Sequence, residues 1–396
     1  MPPSKPPTKP PLSSLISTHD FAAAFPLAVP AKTVAFVTSA ATDSLTCAAN
    51  KEAYASITLR PRILRDVSGP IALSTTLLAH PVRSPIYAAP TSMGRTVHPE
   101  GEREIARGCV AAGVAIVVST SASFAVREVL DVVGGRVPAF FQLYVDRDRH
   151  KSETVLREAV GAGVKGVWVT VDAPVIGKRE ADERAPLDEV EVTTPMSGAQ
   201  AVRDAAGGGL GRIMGKYVDA SLAWGDVAWL RGCLPRGMPV VLKGIQTAMD
   251  AVAAMGAGVE GIVVSNHGGR SLDTSPATIL VLLELQRCCP QIFDRMEVFV
   301  DGGIMRGTDV FKALCLGAKG VGIGRGTLYG LGYGEEGVKK YIEILNDELE
   351  TTMRMCGVTS LDELHPGLLN TRAVDHLIPS TVDEEHPFAK WRPSKL

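Results

Sequence analysis

Residues 297–325 read Glu-Val-Phe-Val-Asp-Gly-Gly-Ile-Met-Arg-Gly-Thr-Asp-Val-Phe-Lys-Ala-Leu-Cys-Leu-Gly-Ala-Lys-Gly-Val-Gly-Ile-Gly-Arg. An apolar run, Glu297 to Val300, ends in Asp301-Gly302-Gly303. From Thr308 to Leu316 apolar residues recur three and four apart, as one face of a helix requires, and Gly317 follows, as the position after a helix prefers. A second apolar run, Gly320 to Ile323, ends in Gly324-Arg325. Runs that are apolar throughout belong to parallel strands covered on both faces. The segment therefore reads as strand, helix, parallel strand.

The same unit recurs upstream. Further apolar runs are Ile86 to Ala89, Ala115 to Ser119, Ala139 to Val145, Gly166 to Val171, Val240 to Leu242 and Gly261 to Val264. Helical spacing marks Glu102 to Ala112, Ser152 to Ala162, Ala248 to Met255 and Pro276 to Cys288, with Gly113, Gly163 and Gly256 as the expected stops. Eight strands in this rhythm predict an α/β chain folded as a (β/α)8 TIM barrel. One interval breaks the rhythm: about 70 residues separate the fourth run from the fifth. The insertion, about 174–238, carries charge at Lys178 to Glu183 and Asp188 to Glu191 and glycine at 207–209 and 211. A long strand-to-helix connection of this kind is expected to lie over the barrel mouth as a lid. The alternative is a disordered linker between two domains; against it, each half would hold only part of one eight-fold pattern.

The remaining chain divides into a proline-rich tail over 1–19, expected to be disordered, a barrel domain with an N-terminal helical extension over 20–365, and a C-terminal arm over 366–396. A final helix is expected from Gly334 to Met355. The 396 residues hold 41 Lys+Arg against 43 Asp+Glu, a net charge of −2. That balance argues against a nucleic-acid binder working by phosphate neutralisation. No apolar run approaches the ~18 residues of a membrane span. The seven cysteines show no paired framework or metal spacing, and the eight histidines no ligand-like pair, so a reduced intracellular protein without a metal is expected. The last three residues, Ser394-Lys395-Leu396, read as a peroxisomal address, which implies an import receptor as partner and suits an enzyme releasing hydrogen peroxide.

In a barrel of this type, chemistry sits where strands end. The third run leads into Gln142 and Tyr144, the fourth into Thr170 and Asp172, and the fifth into Lys243. The sixth leads into Ser265, His267 and Arg270, the seventh into Asp301, and the eighth into Arg325. Each has a plain alternative: an interior aromatic for Tyr144, a helix cap for Asp172, a solvated charge for Lys243, a satisfied loop histidine for His267. Together the plain readings weaken, because a rim that gathers Lys, His, Asp and Arg has to pair them or use them. Gly302-Gly303 and Gly324 follow the last two strands, where barrels commonly bind phosphate, and Arg325 adds a forked cation. A phosphate-bearing cofactor is expected there.

The motif Ser265-Asn266-His267-Gly268-Gly269-Arg270, with Val300-Asp301-Gly302-Gly303 and Arg306 to Leu314, resembles the FMN-dependent 2-hydroxy-acid oxidase/dehydrogenase family, which includes glycolate and lactate oxidases. The likeness runs in order through Arg60 to Leu64, Ala89-Pro90-Thr91, His98 to Gly101, Phe140 to Tyr144 and Thr170 to Pro174, over roughly 20–365. It implies FMN as cofactor and a 2-hydroxy acid as substrate. By that resemblance His267 is the base, Asp172 its partner, and Tyr144 a hydrogen-bonding residue to the substrate oxygen. Arg179 and Arg270 grip the carboxylate. Pro90, Thr91, Ser92, Ser119, Gln142, Thr170, Lys243 and Ser265 line the flavin. Asp301 holds the ribityl chain, while Gly302, Gly303, Gly324 and Arg325 take its phosphate. Many such barrels are tetramers, so a homo-oligomer is implied.

Three departures stand out. A tyrosine that meets the substrate carboxylate in the family maps to Phe36, an aromatic pocket wall maps to Ser121, and a phosphate-side arginine maps to Met305. Ser121 in place of the aromatic wall should enlarge the cavity or wet it, and the first two departures predict a substrate bulkier or less polar than glycolate. The leading reading is an oxidase that passes electrons to oxygen and releases hydrogen peroxide. The alternatives are a dehydrogenase with another acceptor, an enzyme of amino or peptide-like substrates, and a flavin-binding scaffold without activity. No appended haem domain is expected.

Overall fold

The computed structural model describes residues 8–186, 192, 194–199 and 209–379. Eight parallel strands close into one barrel: β1 (Ile86–Ala88), β2 (Ala115–Ser119), β3 (Ala139–Leu143), β4 (Val167–Thr170), β5 (Val240–Ile245), β6 (Gly261–Val264), β7 (Glu297–Asp301) and β8 (Gly320–Ile323). Closure is the pairing of β8 with β1, Val321 opposite Ile86 and Ile323 opposite Ala88. The expected (β/α)8 barrel is borne out. The strands are buried along nearly their whole length, which is why they read as unbroken apolar runs.

Register matters for function. Ser119 stands opposite Gln142, Thr170 opposite Lys243, and Asp301 opposite Gly322. Side chains far apart in the chain thus emerge at one level of the rim. Below them the barrel is filled by Tyr87, Phe140, Trp168 and Phe299, with Trp168 in ring contact with the other three at 5.1, 5.6 and 4.9 Å respectively. A hairpin of Thr75–Leu77 and His80–Val82 places Leu77 and Val82 in the same apolar cluster, closing the lower end.

Helices cover the outside. Three precede the barrel: α1 (Thr18–Ala24), α2 (Ala31–Thr38) and α3 (Leu45–Ser56). Next come α4 (Gly101–Ala112), α5 (Val126–Val133) and α6 (Arg149–Ala162). The insertion supplies α7 (Glu180–Arg184), α8 (Arg212–Gly215) and α9 (Asp226–Gly232). Then follow α10 (Ala248–Gly256), α11 (Thr278–Cys288), α12 (Ile292–Arg295), α13 (Gly307–Cys315), α14 (Arg325–Leu331) and α15 (Gly334–Met355). Gly113 and Gly163 take left-handed conformations after their helices, as C′ glycines do. Gly256 does not: it is the last residue of α10, and the left-handed turn falls on Gly258 at φ +71°.

Two expectations about the ends need correction. The tail expected to be disordered over 1–19 is held from residue 8 onward. Lys9 lies over the Tyr333 ring and Tyr333 donates to the Pro10 carbonyl at 2.8 Å. Ser17 and Asp20 form a capping box that starts α1; apolar Leu15 and Phe21 are buried behind it. The arm expected from 366 is anchored as far as 379. Leu369–Asn370 pairs with Thr58–Leu59, and Arg287 donates to the Asp375 carbonyl at 3.1 Å. The Ser394-Lys395-Leu396 address, the glycines at 207 and 208 and the acidic run 188–191 lie outside the described residues. Among the described residues, no helix is long and apolar enough to cross a membrane, and no group of three His, Cys, Asp or Glu could hold a metal ion.

Candidate active site

The C-terminal ends of the strands open into one cleft. Phe36, Pro90, Thr91, Ser92, Ser119, Gln142, Tyr144, Thr170, Arg179, Lys243, His267, Arg270, Asp301, Gly302, Gly303, Gly324 and Arg325 all line it. Asp172 and Ser265, the other two expected site residues, sit behind that wall and hold parts of it.

One rail of the cleft is a hydrogen-bond chain across the first four strand ends. Ser92 and Ser119 hydroxyls meet at 3.2 Å. Ser119 donates to Gln142 Oε1 at 3.0 Å, and Gln142 Nε2 donates to Thr170 Oγ1 at 2.9 Å. Aligned register makes this possible, and each member fixes the next. Opposite lies a buried ionic knot. Lys243 Nζ donates to Ser265 Oγ at 3.0 Å and stands 3.3 Å from Asp301 Oδ2; Ser265 in turn donates to Asp301 Oδ1 at 2.6 Å. Burial works against the ammonium of Lys243, but Asp301 and Asp172 outweigh it and hold its pKa above the ordinary value. Lys243 is therefore a fixed cation in the wall.

His267 lies in a left-handed conformation, φ +58°, uncommon for a residue with a side chain. Its peptide N–H donates to Ser265 Oγ at 3.1 Å. The loop beyond it hangs on Asn266, which exchanges amide hydrogen bonds with Asn50 of α3, 2.9 Å in each direction, and accepts from Gly269 N at 3.1 Å. So positioned, the imidazole has Nδ1 2.9 Å from Asp172 Oδ1 and Nε2 3.4 Å from the Tyr144 hydroxyl. Asp172 is fully buried, and its Oδ2 has no hydrogen-bond partner among the described residues. Burial opposes its ionisation; His267 and Lys243 prevail and keep the carboxyl below the usual range. Gly244, at φ +119°, makes room for it: a Cβ there would lie 2.5 Å from Asp172 Cβ.

Two guanidiniums face the imidazole's end of the cleft. Arg270 Nη1 donates to the carbonyls of Val37 and Ser39 at 3.0 and 2.8 Å. Arg179 is 5% exposed, and its Nε and Nη1 have no partner among the described residues. Burial lowers the pKa of both, and Arg179 and Arg325 depress that of Arg270 further. A pair of cations, Arg179 buried with unused donors and Arg270 half-buried beside it, suits an anion. The Phe36 ring lies 5.4 Å from Arg270 Cζ and 6.0 Å from Arg179 Cζ.

The far end fits a phosphate group. Arg325 donates to the Gly268 carbonyl at 2.7 Å and to Cys47 Sγ at 3.2 Å. Gly324 lines the cleft with open space where a Cβ would stand, and Gly302 and Gly303 adopt positive φ beside it. Such glycines let backbone come close to a ligand. Met305 lines the same cleft, and its carbonyl accepts from Thr18 Oγ1.

The Ser121 expectation is corrected. Ser121 does not enlarge or wet the cleft, because Tyr217 of the insertion covers it: the two hydroxyls lie 2.8 Å apart and Ser121 is fully buried. Tyr217 packs with Tyr144, Ala173, Met214 and Val218 in one apolar cluster. Sequence reasoning missed Tyr217, Met214 and Asn50, and gave no role to Asp273. The last accepts from Thr46 N at 2.8 Å and Asp43 N at 3.1 Å, starting α3 beneath the His267 loop. Only Asp273 carried a signal, its place just beyond the histidine motif.

The FMN-dependent dehydrogenase family matches residues 27–371. An L-lactate dehydrogenase (cytochrome) of Wickerhamomyces anomalus is 40% identical over 376 residues, 93% of this chain; the chain spans only 64% of that relative's length. A peroxisomal (S)-2-hydroxy-acid oxidase of Oryza sativa subsp. japonica is 42% identical over 341 residues, 85% of this chain and 91% of the relative. Among solved structures, mandelate oxidase with (S)-4-hydroxymandelic acid superposes with a TM-score of 0.82 at 32% identity, covering 90% of this chain and 98% of the other.

Proposed function

This chain belongs to the FMN-dependent dehydrogenase family, and from that premise we propose that it oxidises a 2-hydroxy acid carrying an apolar side chain to the 2-oxo acid, with oxygen as final acceptor. The observation that carries the reading is the Asp172–His267–Tyr144 array set at one cleft with Arg179 and Arg270. Bound FMN supplies the electron acceptor. Gln142, Thr170, Ser119 and Lys243 would hold its ring, Asp301 its ribityl chain, and Gly303, Gly324 and Arg325 its phosphate.

The protein's own groups then do the rest. Arg179 and Arg270 bind the substrate carboxylate, a planar anion matched to forked donors. This fixes the hydroxyl-bearing carbon before His267. His267 Nε2 accepts a proton from the substrate, and Tyr144 orients the substrate oxygen. Asp172 holds Nδ1 and stabilises the imidazolium as it forms, which requires that the carboxylate be ionised. Lys243 places fixed positive charge at the flavin edge. Phe36, Val37 and Met214 line the same cleft as the arginines, so a substituent larger than the hydrogen of glycolate finds apolar contact there.

Relatives named as oxidases support oxygen as acceptor, and those named peroxisomal support a peroxisomal location. The cytochrome-type relative favours a second reading, the same oxidation with another acceptor. Peroxide measured in air during turnover of a 2-hydroxy-acid panel tests the first reading. Turnover that requires an added dye or cytochrome, without peroxide, supports the second. Following a tagged chain with and without Ser394 to Leu396 tests the location.

A further inference from the structure

Arg179 poses a physical problem. Its guanidinium is buried and two of its three nitrogens have no partner among the described residues, so those bonds cannot be what aims it. What touches it is backbone: a Cβ added at Gly211 would lie 2.6 Å from Arg179 Nη2 and 2.7 Å from Cζ. The Gly211 backbone, in the turn at 209–211, therefore packs against the guanidinium. That turn is itself hung on one carboxylate. Leu210 N donates to Asp182 Oδ1 at 3.2 Å, and Gly211 N donates to Asp182 Oδ2 at 3.0 Å.

Asp182 is in turn fastened to the N-terminal region. Its Oδ1 stands 2.9 Å from Lys32 Nζ, with both side chains almost wholly buried. The same ammonium donates to the backbone carbonyls of Asp182 and, at 3.2 Å, Ala185. Lys32 lies on α2, one helical turn before Phe36, whose ring faces Arg179. One ion pair thus joins α2, α7 and the 209–211 turn around a single arginine. The charge balance agrees: after burial, Asp182 is the strongest influence on Arg179, and it offsets the repulsion of Arg179 and Arg325 at Arg270.

We propose that Asp182, paired with Lys32, is the positioning residue of the substrate-carboxylate clamp: it holds the Gly211 backbone against Arg179 and so fixes where that guanidinium meets the anion. This rests on the reading of Arg179 as a carboxylate ligand. Asp182 is not among the residues that line the cleft; it acts through Arg179.

The test uses the FMN-loaded full chain and the 2-oxo acid pyruvate as an inert carboxylate probe, titrated by the flavin absorbance change. Asp182→Asn weakens pyruvate binding about tenfold or more and raises KM more than it lowers kcat. In an Arg179→Met background the same substitution has no further effect on binding, because the group it positions is gone. Gly211→Ala is the second variant. Residue 211 has φ −60° and ψ −28°, which alanine adopts without strain, and the atoms its added methyl meets first are those of the Arg179 guanidinium; it also weakens pyruvate binding. If Asp182→Asn fails to fold, Gly211→Ala decides by itself. The proposal is overturned if the folded variants bind pyruvate within about twofold of the parent, or if the losses persist in the Arg179→Met background. A parent protein that binds no 2-oxo acid overturns the carboxylate reading itself, and the positioning role with it.

Discussion

Asp172 and His267 stand 95 residues apart in the chain, yet Asp172 Oδ1 lies 2.9 Å from His267 Nδ1. Buried Asp172 remains ionised because His267 and Lys243 overcome the desolvation of its carboxyl. An imidazole held this way keeps Nε2 turned to the cleft and gains a counter-ion when it takes a proton. Asp172→Asn should keep bound FMN and lower kcat by roughly 10²–10⁴-fold, the range for general-base and tautomer-setting partners. Steady-state kinetics beside the visible spectrum checks it; an unchanged kcat removes Asp172 from the mechanism.

Phe36 stands beside both arginines without a hydroxyl to offer a carboxylate. Phe36→Tyr should add one hydrogen bond to a charged group, worth about 1.5–3 kcal/mol where geometry allows. The expected result is a KM for small 2-hydroxy acids lowered by about tenfold or more. A KM that stays the same would mean the ring does not reach the substrate.

Tyr217 fills the space that a small Ser121 leaves. Tyr217→Ala should open a cavity beside Tyr144 and Met214 and shift kcat/KM toward bulkier, aromatic 2-hydroxy acids. One methylene of apolar contact is worth about 1–3 kcal/mol in such a pocket, and a ring is larger. The ratio of kcat/KM for mandelate over lactate is the readout; a ratio that does not rise places Tyr217 away from the substrate.

Asp273 starts α3, and its carboxyl is strongly lowered. Burial raises it, but the Thr46 N–H, the Thr42 hydroxyl and the Leu45 N–H bring it down to about 2. A carboxyl with a folded pKa below its unfolded one adds stability above the unfolded value and loses it as pH falls through the folded value. Asp273→Asn should therefore lower the melting temperature at about pH 6, and the difference from the parent should vanish near about pH 2. Melting curves across that window check the sign.

Much of this was readable before any coordinates. The strands announced themselves because β4 or β6, buried on both faces, cannot carry a polar alternation. Helix α5 did not, since Val-Arg-Glu-Val-Leu-Asp-Val-Val is rich in β-branched residues with no helical preference of their own; packing decides it. Rim residues such as Lys243 and His267 were legible because charge directly after an apolar strand is conspicuous. Asn50, Asp182 and Tyr217 were not. Their roles come from contacts across 216, 28 and 96 residues, and nothing local distinguishes them from other asparagines, acids or aromatics. Residues 8–19 misled for a related reason: composition marks what lacks a core of its own, and cannot see that Tyr333 will hold Pro10.

The most direct test of the account is to mix FMN-loaded protein anaerobically with a panel of 2-hydroxy acids and follow the flavin band. The account predicts bleaching by at least one member bearing an apolar side chain, with little by glycolate, and no bleaching in His267→Ala although its FMN stays bound. Bleaching of His267→Ala at the parent rate, or a parent protein whose bound flavin no 2-hydroxy acid bleaches, would contradict it.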